Sequence, residues 1–286
     1  MKKVLFLALA IISLSLNVYA QDESTFPPGF LDKSLTDAEG YASWVSAPPK
    51  LTDPEFANDF YFYQWGREMR ENEQEAVDAI WDEGAKLEEA FEATLGISLT
   101  NGTAPEIVKL CQRATTDVAN ANRTVKEKYQ RIRPFATFND PSLTPWSDPE
   151  EEKTYSYPSG HTARGYMYAM VLSVLDPTLT DKLLERAAKY AARRIICGHH
   201  WKSDIDAALV LVAGIFPMVV ASDDFQEQLK KAREEYAKLK GSSTRISAPA
   251  STRSTSAAIY DMQGRQLNAE PNSGVYIQNG QKYVSK

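Results

Sequence analysis

Between Asp53 and about Lys240 the apolar residues recur every three or four positions and nowhere alternate by twos, which confines this stretch to packed α-helices. Tyr61, Trp65 and Met69 recur at fours. Ile107, Leu110, Cys111, Ala114 and Val118 hold one face of a helix that Pro134 must end, and Tyr166, Met170 and Leu172 to Leu175 continue the pattern. The expectation is an all-α bundle over residues 54–240. At 286 residues, 43% hydrophobic and 24% charged, the chain has the material for a large core and is neither disordered nor collagen-like. Its two cysteines, Cys111 and Cys197, stand in no zinc or redox spacing and allow one internal disulfide, a pairing the sequence leaves open and does not require. The fold must stand on its packing.

The two ends have other compositions. Lys2 and Lys3 precede an uncharged, mostly apolar run from Val4 to Ala20, and Val18-Tyr19-Ala20 ends in a small residue ahead of polar Gln21, so residues 1–20 read as a secretory signal peptide. Residues 21–53, with Pro27-Pro28 and Pro48-Pro49, read as an extended arm. The longest later uncharged run, Ala207 to Ser222, is interrupted by Pro217 and suits a buried core helix better than a bilayer span, so no integral span is expected. Residues 241–257 are Ser/Thr-rich and read as a flexible linker, and residues 258–286 as a small β element with a hairpin at Asn279-Gly280. The net charge of −6, more negative still without Lys2 and Lys3, excludes an electrostatic nucleic-acid binder, so any anion site must be a local cluster of cations.

The three histidines carry the chemistry to be explained. His161 closes Pro158-Ser159-Gly160-His161 directly before an apolar helical run, where Ser159 would cap a helix whose free N–H groups form an anion cradle beside the imidazole. An ordinary capped helix start fits the tetrapeptide equally well. His200 precedes Asp204 by four residues. If Trp201 onward is helical, the pair shares a face, and the carboxylate can hold one ring nitrogen while leaving the other free. A structural His–Asp contact is the plainer reading. Lys126 and Arg133 stand two helical turns apart, and Arg194 lies six residues before His200 on a helix that Gly198 terminates. Guanidinium forks, an ammonium, backbone N–H groups and a hydroxyl are what a phosphate dianion requires, although any one of these cations alone reads as solvated surface.

In order, Lys126-x6-Arg133-Pro134, Pro158-Ser-Gly-His161 and Arg194-x5-His200-x3-Asp204 resemble the three-part signature of the type 2 phosphatidic acid phosphatase superfamily. Within it, Tyr129-Gln-Arg-Ile-Arg-Pro-Phe135, Tyr157-Pro-Ser-Gly-His-Thr162 and Ile196-Cys-Gly-His-His-Trp-Lys-Ser-Asp-Ile-Asp-Ala207 resemble the bacterial class A non-specific acid phosphatases. The likeness extends more weakly over about residues 48–236. It implies a helical bundle of the acid phosphatase and vanadium haloperoxidase type. It also implies that Lys126, Arg133, Ser159, Gly160 and Arg194 bind phosphate, that His200 attacks phosphorus, that His161 protonates the leaving oxygen and that Asp204 orients His200. No metal or cofactor is called for, and phosphate monoesters are the implied substrates. Arg193 departs from the family's usual Ser, which puts local packing or charge in question. His199 is assigned no catalytic role and reads as a pocket wall or surface residue. Reading Cys197, His199, His200 and Asp204 as metal ligands is disfavoured, since a basic cluster repels a divalent cation.

The last thirty residues resemble type IX sorting domains in Tyr260-Asp-Met-Gln-Gly-Arg265 and Gly274-Val-Tyr-Ile277, implying the type IX export machinery as a partner and a periplasmic, secreted or cell-surface destination. Two other readings stay open: a vanadate-dependent haloperoxidase and a non-catalytic exported phosphate-binding protein. Subunit number, a homo-oligomer included, is also open. Cations around His161 favour its deprotonation, so an acidic, bell-shaped pH optimum is expected.

Overall fold

The computed structural model describes residues 26–32 and 38–243 and, towards the C-terminus, 259–261, 266–267, 269, 274–278 and 281–285. The expected signal peptide and most of the expected linker lie outside the described residues. The chain divides into two compact units, Met1–Leu239 and Lys240–Lys286. The helices are α1 (Ala38–Trp44), α2 (Phe56–Met69), α3 (Glu73–Gly84), α4 (Leu87–Leu95), α5 (Pro105–Tyr129), α6 (Pro134–Phe138), α7 (Asp148–Glu151), α8 (Gly160–Leu175), α9 (Thr180–Cys197) and α10 (Lys202–Ala221) in the first, and α11 (Asp223–Ser243), which lies in the first up to Leu239. The described residues of the first unit include no strand.

Helix α8 is the hub, packed against α5, α9 and α10. Met167, Ala169, Val171 and Leu172 on α8 are wholly buried, as are Ile107, Leu110, Cys111, Ala114 and Val118 on α5. Each large aliphatic removed from water contributes roughly 2 kcal/mol, so this contact is the mechanical base of the molecule. Of the expected line on α2, Trp65 and Met69 are half-buried and pack against Ala79, Ile196 and Cys197. Tyr61 is exposed, and the buried positions are Asp59, Tyr63 and Gly66. At Gly66 an added Cβ would lie 2.7 Å from the Ile195 carbonyl oxygen on α9. A glycine in contact leaves no apolar mark in the sequence, so the periodicity did not reveal Gly66.

The arm is not wholly extended. Ala38–Trp44 is helical and places Tyr41 and Ala42 in the core against α5, because the Pro-free stretch between Pro28 and Pro48 carries apolar residues to bury. Ahead of it, the N–H groups of Phe30 and Leu31 donate to the buried Asp117 carboxylate at 2.7 and 3.3 Å. Helix α5 stops at Tyr129, short of Pro134: Gln130 turns left-handed at φ 48°, and Pro134 instead opens α6. Helix α10 has twenty residues and is long and apolar enough to cross a membrane. A core helix passes the same test, and Ala207, Ala208, Leu211, Val212, Ile215 and Val219 are buried in this one.

Helix α11 runs on to Ser243, three residues into the expected linker. In the second unit, β1 (Ile259–Asp261), β2 (Gln266–Leu267), β3 (Gly274–Gln278) and β4 (Gln281–Ser285) pair antiparallel in the order β2-β1-β3-β4.

Candidate active site

The third motif is shaped by two helix ends. Helix α9 ends at Cys197, and Gly198 reverses the chain at φ 85°, its N–H returning to the last turn of α9. The reversal leaves Arg194 buried in that turn and sends His199 and His200 inward. Trp201 then caps α10, and Asp204 at the third helical position accepts the Trp201 N–H at 2.9 Å through Oδ2. The same oxygen lies 3.2 Å from Nδ1 of His200. His200 therefore meets Asp204 through a helix cap, and not as a neighbour on a helix face as its spacing suggested. Nδ1–H donates to the carboxylate, so Nε2 keeps its lone pair and faces Nη1 of Arg133 at 3.2 Å. Burial first, then Arg133 and Lys126, push the His200 imidazole well below its ordinary value, so it is neutral.

Arg133 is buried just ahead of α6, and nearly all of its donors are engaged. Nε donates to Glu151 O at 2.8 Å, Nη1 to His199 O at 3.0 Å and Nη2 to Thr154 Oγ1 at 2.7 Å. Although Arg133 is not on α5, its charge is felt by Lys126, which stands in the last turn of that helix with Nζ donating to Tyr155 O. Burial and the Arg133 charge lower the Lys126 ammonium to about 7, against the pull of Asp204 and Glu151.

Ser159 caps α8 through Oγ, which accepts the Thr162 N–H at 3.3 Å, while its own N–H donates to Asp204 O at 3.0 Å. That second bond fastens the second motif to the third. Gly160 and His161 are the first residues of α8, where N–H groups have no intrahelical acceptor. His161 is half-buried and lines a small cavity with Glu83, Arg164 and Tyr190. Burial and then Arg164 push its imidazole down to about 3, with Glu151 opposing and His199 and Arg133 adding. The eight residues singled out from the sequence thus stand on the facing ends of α5, α8, α9 and α10 and the segment before α6.

Four neighbours were not singled out. Arg131 donates to Asp204 Oδ1 and Ser203 Oγ at 2.7 Å each and to Asp59 Oδ2 at 2.6 Å, tying α2 to the start of α10. Asp59 also accepts the Ser203 N–H at 2.7 Å. Glu83 pairs with Arg194, and Glu151 lies 2.6 Å from Arg133 Nη2. Arg131 sits within the first motif's string and could have been flagged as a third cation, but nothing in the sequence ties either glutamate to the site.

His199 is a buried wall: its Nε2 lies 3.0 Å from Thr144 Oγ1 and its ring 5.6 Å from that of Phe135. Arg193 is absorbed by Asp78 and Asp82 of α3. Cys111 and Cys197 are free, buried thiols in separate clusters. Among the described residues, the one group with metal-ligand spacing is Glu83, Glu151 and His199, not the Cys197-centred set.

Residues 105–226 match the model of the PAP2 superfamily. The chain is 37% identical over 249 residues to the non-specific acid phosphatase of Providencia stuartii, covering 84% of this chain and all of that one. It is 32% identical over 198 residues to the non-specific acid phosphatase of Salmonella typhimurium, covering 67% and 78%. With the acid phosphatase of Zymomonas mobilis it shares 27% over 202 residues, covering 70% and 76%. The convergent cations and the Asp-held imidazole agree with these likenesses: the chain belongs to the non-specific acid phosphatases of the PAP2 superfamily and is an acid phosphatase.

Proposed function

We propose that the chain hydrolyses phosphate monoesters through a phosphohistidine on Nε2 of His200. The observation that carries this reading is the His200 ring, held at Nδ1 by Asp204 and presenting Nε2 beside Arg133. In the first step the Nε2 lone pair forms the N–P bond as the P–O ester bond breaks, and His161 gives its proton to the leaving oxygen. In the second, water attacks phosphorus, His161 takes the water proton, and His200 leaves as the neutral imidazole. Lys126, Arg133, Arg194 and the N–H groups of α8 meet the charge on the equatorial oxygens, so the reading requires no metal.

The pH dependence follows in sign. His200 is neutral through the acid range because its value is depressed, and Lys126 is cationic only below about 7. His161, at about 3, gains protons when a phosphate dianion arrives among the same cations. Activity therefore peaks on the acid side and falls through neutrality. We also assign residues 1–20 to export and residues 258–286, for their likeness to type IX sorting domains, to delivery at the cell surface.

His200→Ala should abolish turnover of p-nitrophenyl phosphate and leave no acid-labile phosphoenzyme. His161→Ala should lose about 10²–10⁴-fold in kcat on an alkyl phosphate, and much less on p-nitrophenyl phosphate, whose leaving group needs little protonation. Turnover should survive a chelator. A strict requirement for an added divalent metal, or retained activity in His200→Ala, would overturn the mechanism.

A further inference from the structure

Glu151 is paired with one guanidinium of the site and lies within reach of the other. Its Oε2 lies 2.6 Å from Arg133 Nη2 and its Oε1 4.0 Å from Arg194 Nη2. Oε2 also stands 3.8 Å from Nδ1 of the buried His199, an atom with no hydrogen-bond partner. One planar anion thus holds Arg133 with one oxygen and turns the other towards Arg194, whose close partner is Glu83, in the place where a phosphoryl group would need the same pair. Arg133 does not need Glu151's side chain for its orientation, because two carbonyls and Thr154 already hold it.

The element beneath Glu151 is short and adds nothing to the core. Helix α7 has four residues and buries none of them, and the Glu150 and Lys153 side chains beside Glu151 are 76% and 66% exposed. Glu83, the other carboxylate here, differs in sitting on the twelve-residue α3, which buries Ala76, Ala79 and Ile80. A divalent cation between Glu83, Glu151 and His199 would face Arg133 and Arg194, which already hold both carboxylates.

We propose that the Glu151 carboxylate is an internal competitor for the phosphate position, occupying the Arg133–Arg194 fork until a phosphoryl group displaces it. The idea rests on the reading of those arginines as phosphate ligands. Its consequence is a weakened hold on product: inorganic phosphate must evict Glu151 to bind, and Glu151 returning to the fork helps expel it.

Titration calorimetry of inorganic phosphate into the full chain tests this, with wild type, Glu151→Gln, Glu151→Asp and Arg133→Ala compared at one pH and ionic strength. The Gln variant, which keeps the shape and loses the charge, should bind phosphate about tenfold more tightly, as removal of a resident competitor requires. The shorter Asp variant, its carboxylate drawn back from Arg133, should fall between it and wild type. The phosphate inhibition constant in hydrolysis should drop in parallel. A structural role for Glu151 predicts the reverse, weaker phosphate binding, and a role in proton transfer predicts a lower kcat with unchanged phosphate affinity; either result overturns the proposal. Tight zinc binding by wild type that Glu151→Gln abolishes would overturn it as well. If Arg133→Ala binds phosphate as well as wild type, the ligand assignment itself has failed and the competitor falls with it, whereas normal loss in Arg133→Ala with no gain in either Glu151 variant condemns the competitor alone.

Discussion

Arg131 is the residue on which the Asp204 carboxylate depends. Asp204 is fully buried, and burial raises its carboxyl above the ordinary range while Arg131 pulls it back. The same guanidinium neutralises Asp59, itself 1% exposed, and lies over the Trp201 ring. Arg131→Ala would leave two buried carboxylates short of a partner, and a broken buried pair costs about 3–5 kcal/mol. Urea denaturation should register that loss. A proton taken up by Asp204 would free the His200 ring, so kcat should fall more than KM changes; an Arg131→Ala enzyme with wild-type kcat would show that Asp204 does not need it. Arg131 was in plain view between Tyr129 and Pro134, yet two-turn spacing pointed to Lys126 and Arg133 instead. Its role depends on Asp59, some seventy residues away, and a contact of that range has no local sign.

Among the elements, helix ends rather than helix faces build the site. Ser159 caps α8, Trp201 and Asp204 open α10, and Gly198 closes α9. The caps were legible: a Ser before Gly-His and an apolar run, and a Gly after the last turn, are local signals. The end of α5 was not, since Gln130 adopts the left-handed conformation without being a glycine and the helix stops before the proline that seemed to stop it. Gly198 carries the sharper consequence. Its φ of 85° disfavours any side chain, and an added Cβ would lie 2.5 Å from Arg70 Nη2, whose guanidinium holds the end of α9 through Nε and Ile196 O at 2.6 Å. Arg70 can swing aside, but the backbone strain remains. Gly198→Ala should lose about 1–2 kcal/mol and displace His199 and His200. The expected readout is a lower melting temperature with a fall in kcat, and an unchanged kcat at reduced stability would separate the turn from the catalytic geometry.

At the scale of the whole molecule, the acid conditions that favour turnover work against the fold. His161 and His199 are pushed down to about 3 and 4, and His200 lies well below its ordinary 6.5, each chiefly by burial. Between pH 4 and 6.5 the unfolded chain therefore binds protons on three imidazoles that the folded chain keeps neutral, and stability must fall as pH falls through that window. Asp117, raised to about 6 by burial, acts in the opposite sense: the folded carboxyl takes up a proton below about 6 that the unfolded one, near 3.8, does not. Asp204, also raised by burial, acts with Asp117, whereas Glu151, despite its burial held low by Arg133, acts with the histidines; three imidazoles and one lowered carboxyl outweigh two raised ones, so the net slope is destabilising towards acid. The melting temperature should decline steadily from pH 6.5 to 4, and inorganic phosphate should raise it more at pH 4.5 than at pH 7. Bound phosphate lets His161 hold a proton in the native state and removes part of the deficit, in addition to the stabilisation that any ligand of the folded state confers. His199→Gln removes one of the three titrations without touching the proposed nucleophile or acid, and its melting curve against pH should be shallower than that of the wild type. A melting temperature that stays level or climbs on acidification would mean that these imidazoles are already protonated in the native site, and a neutral His200 could no longer be the attacking group.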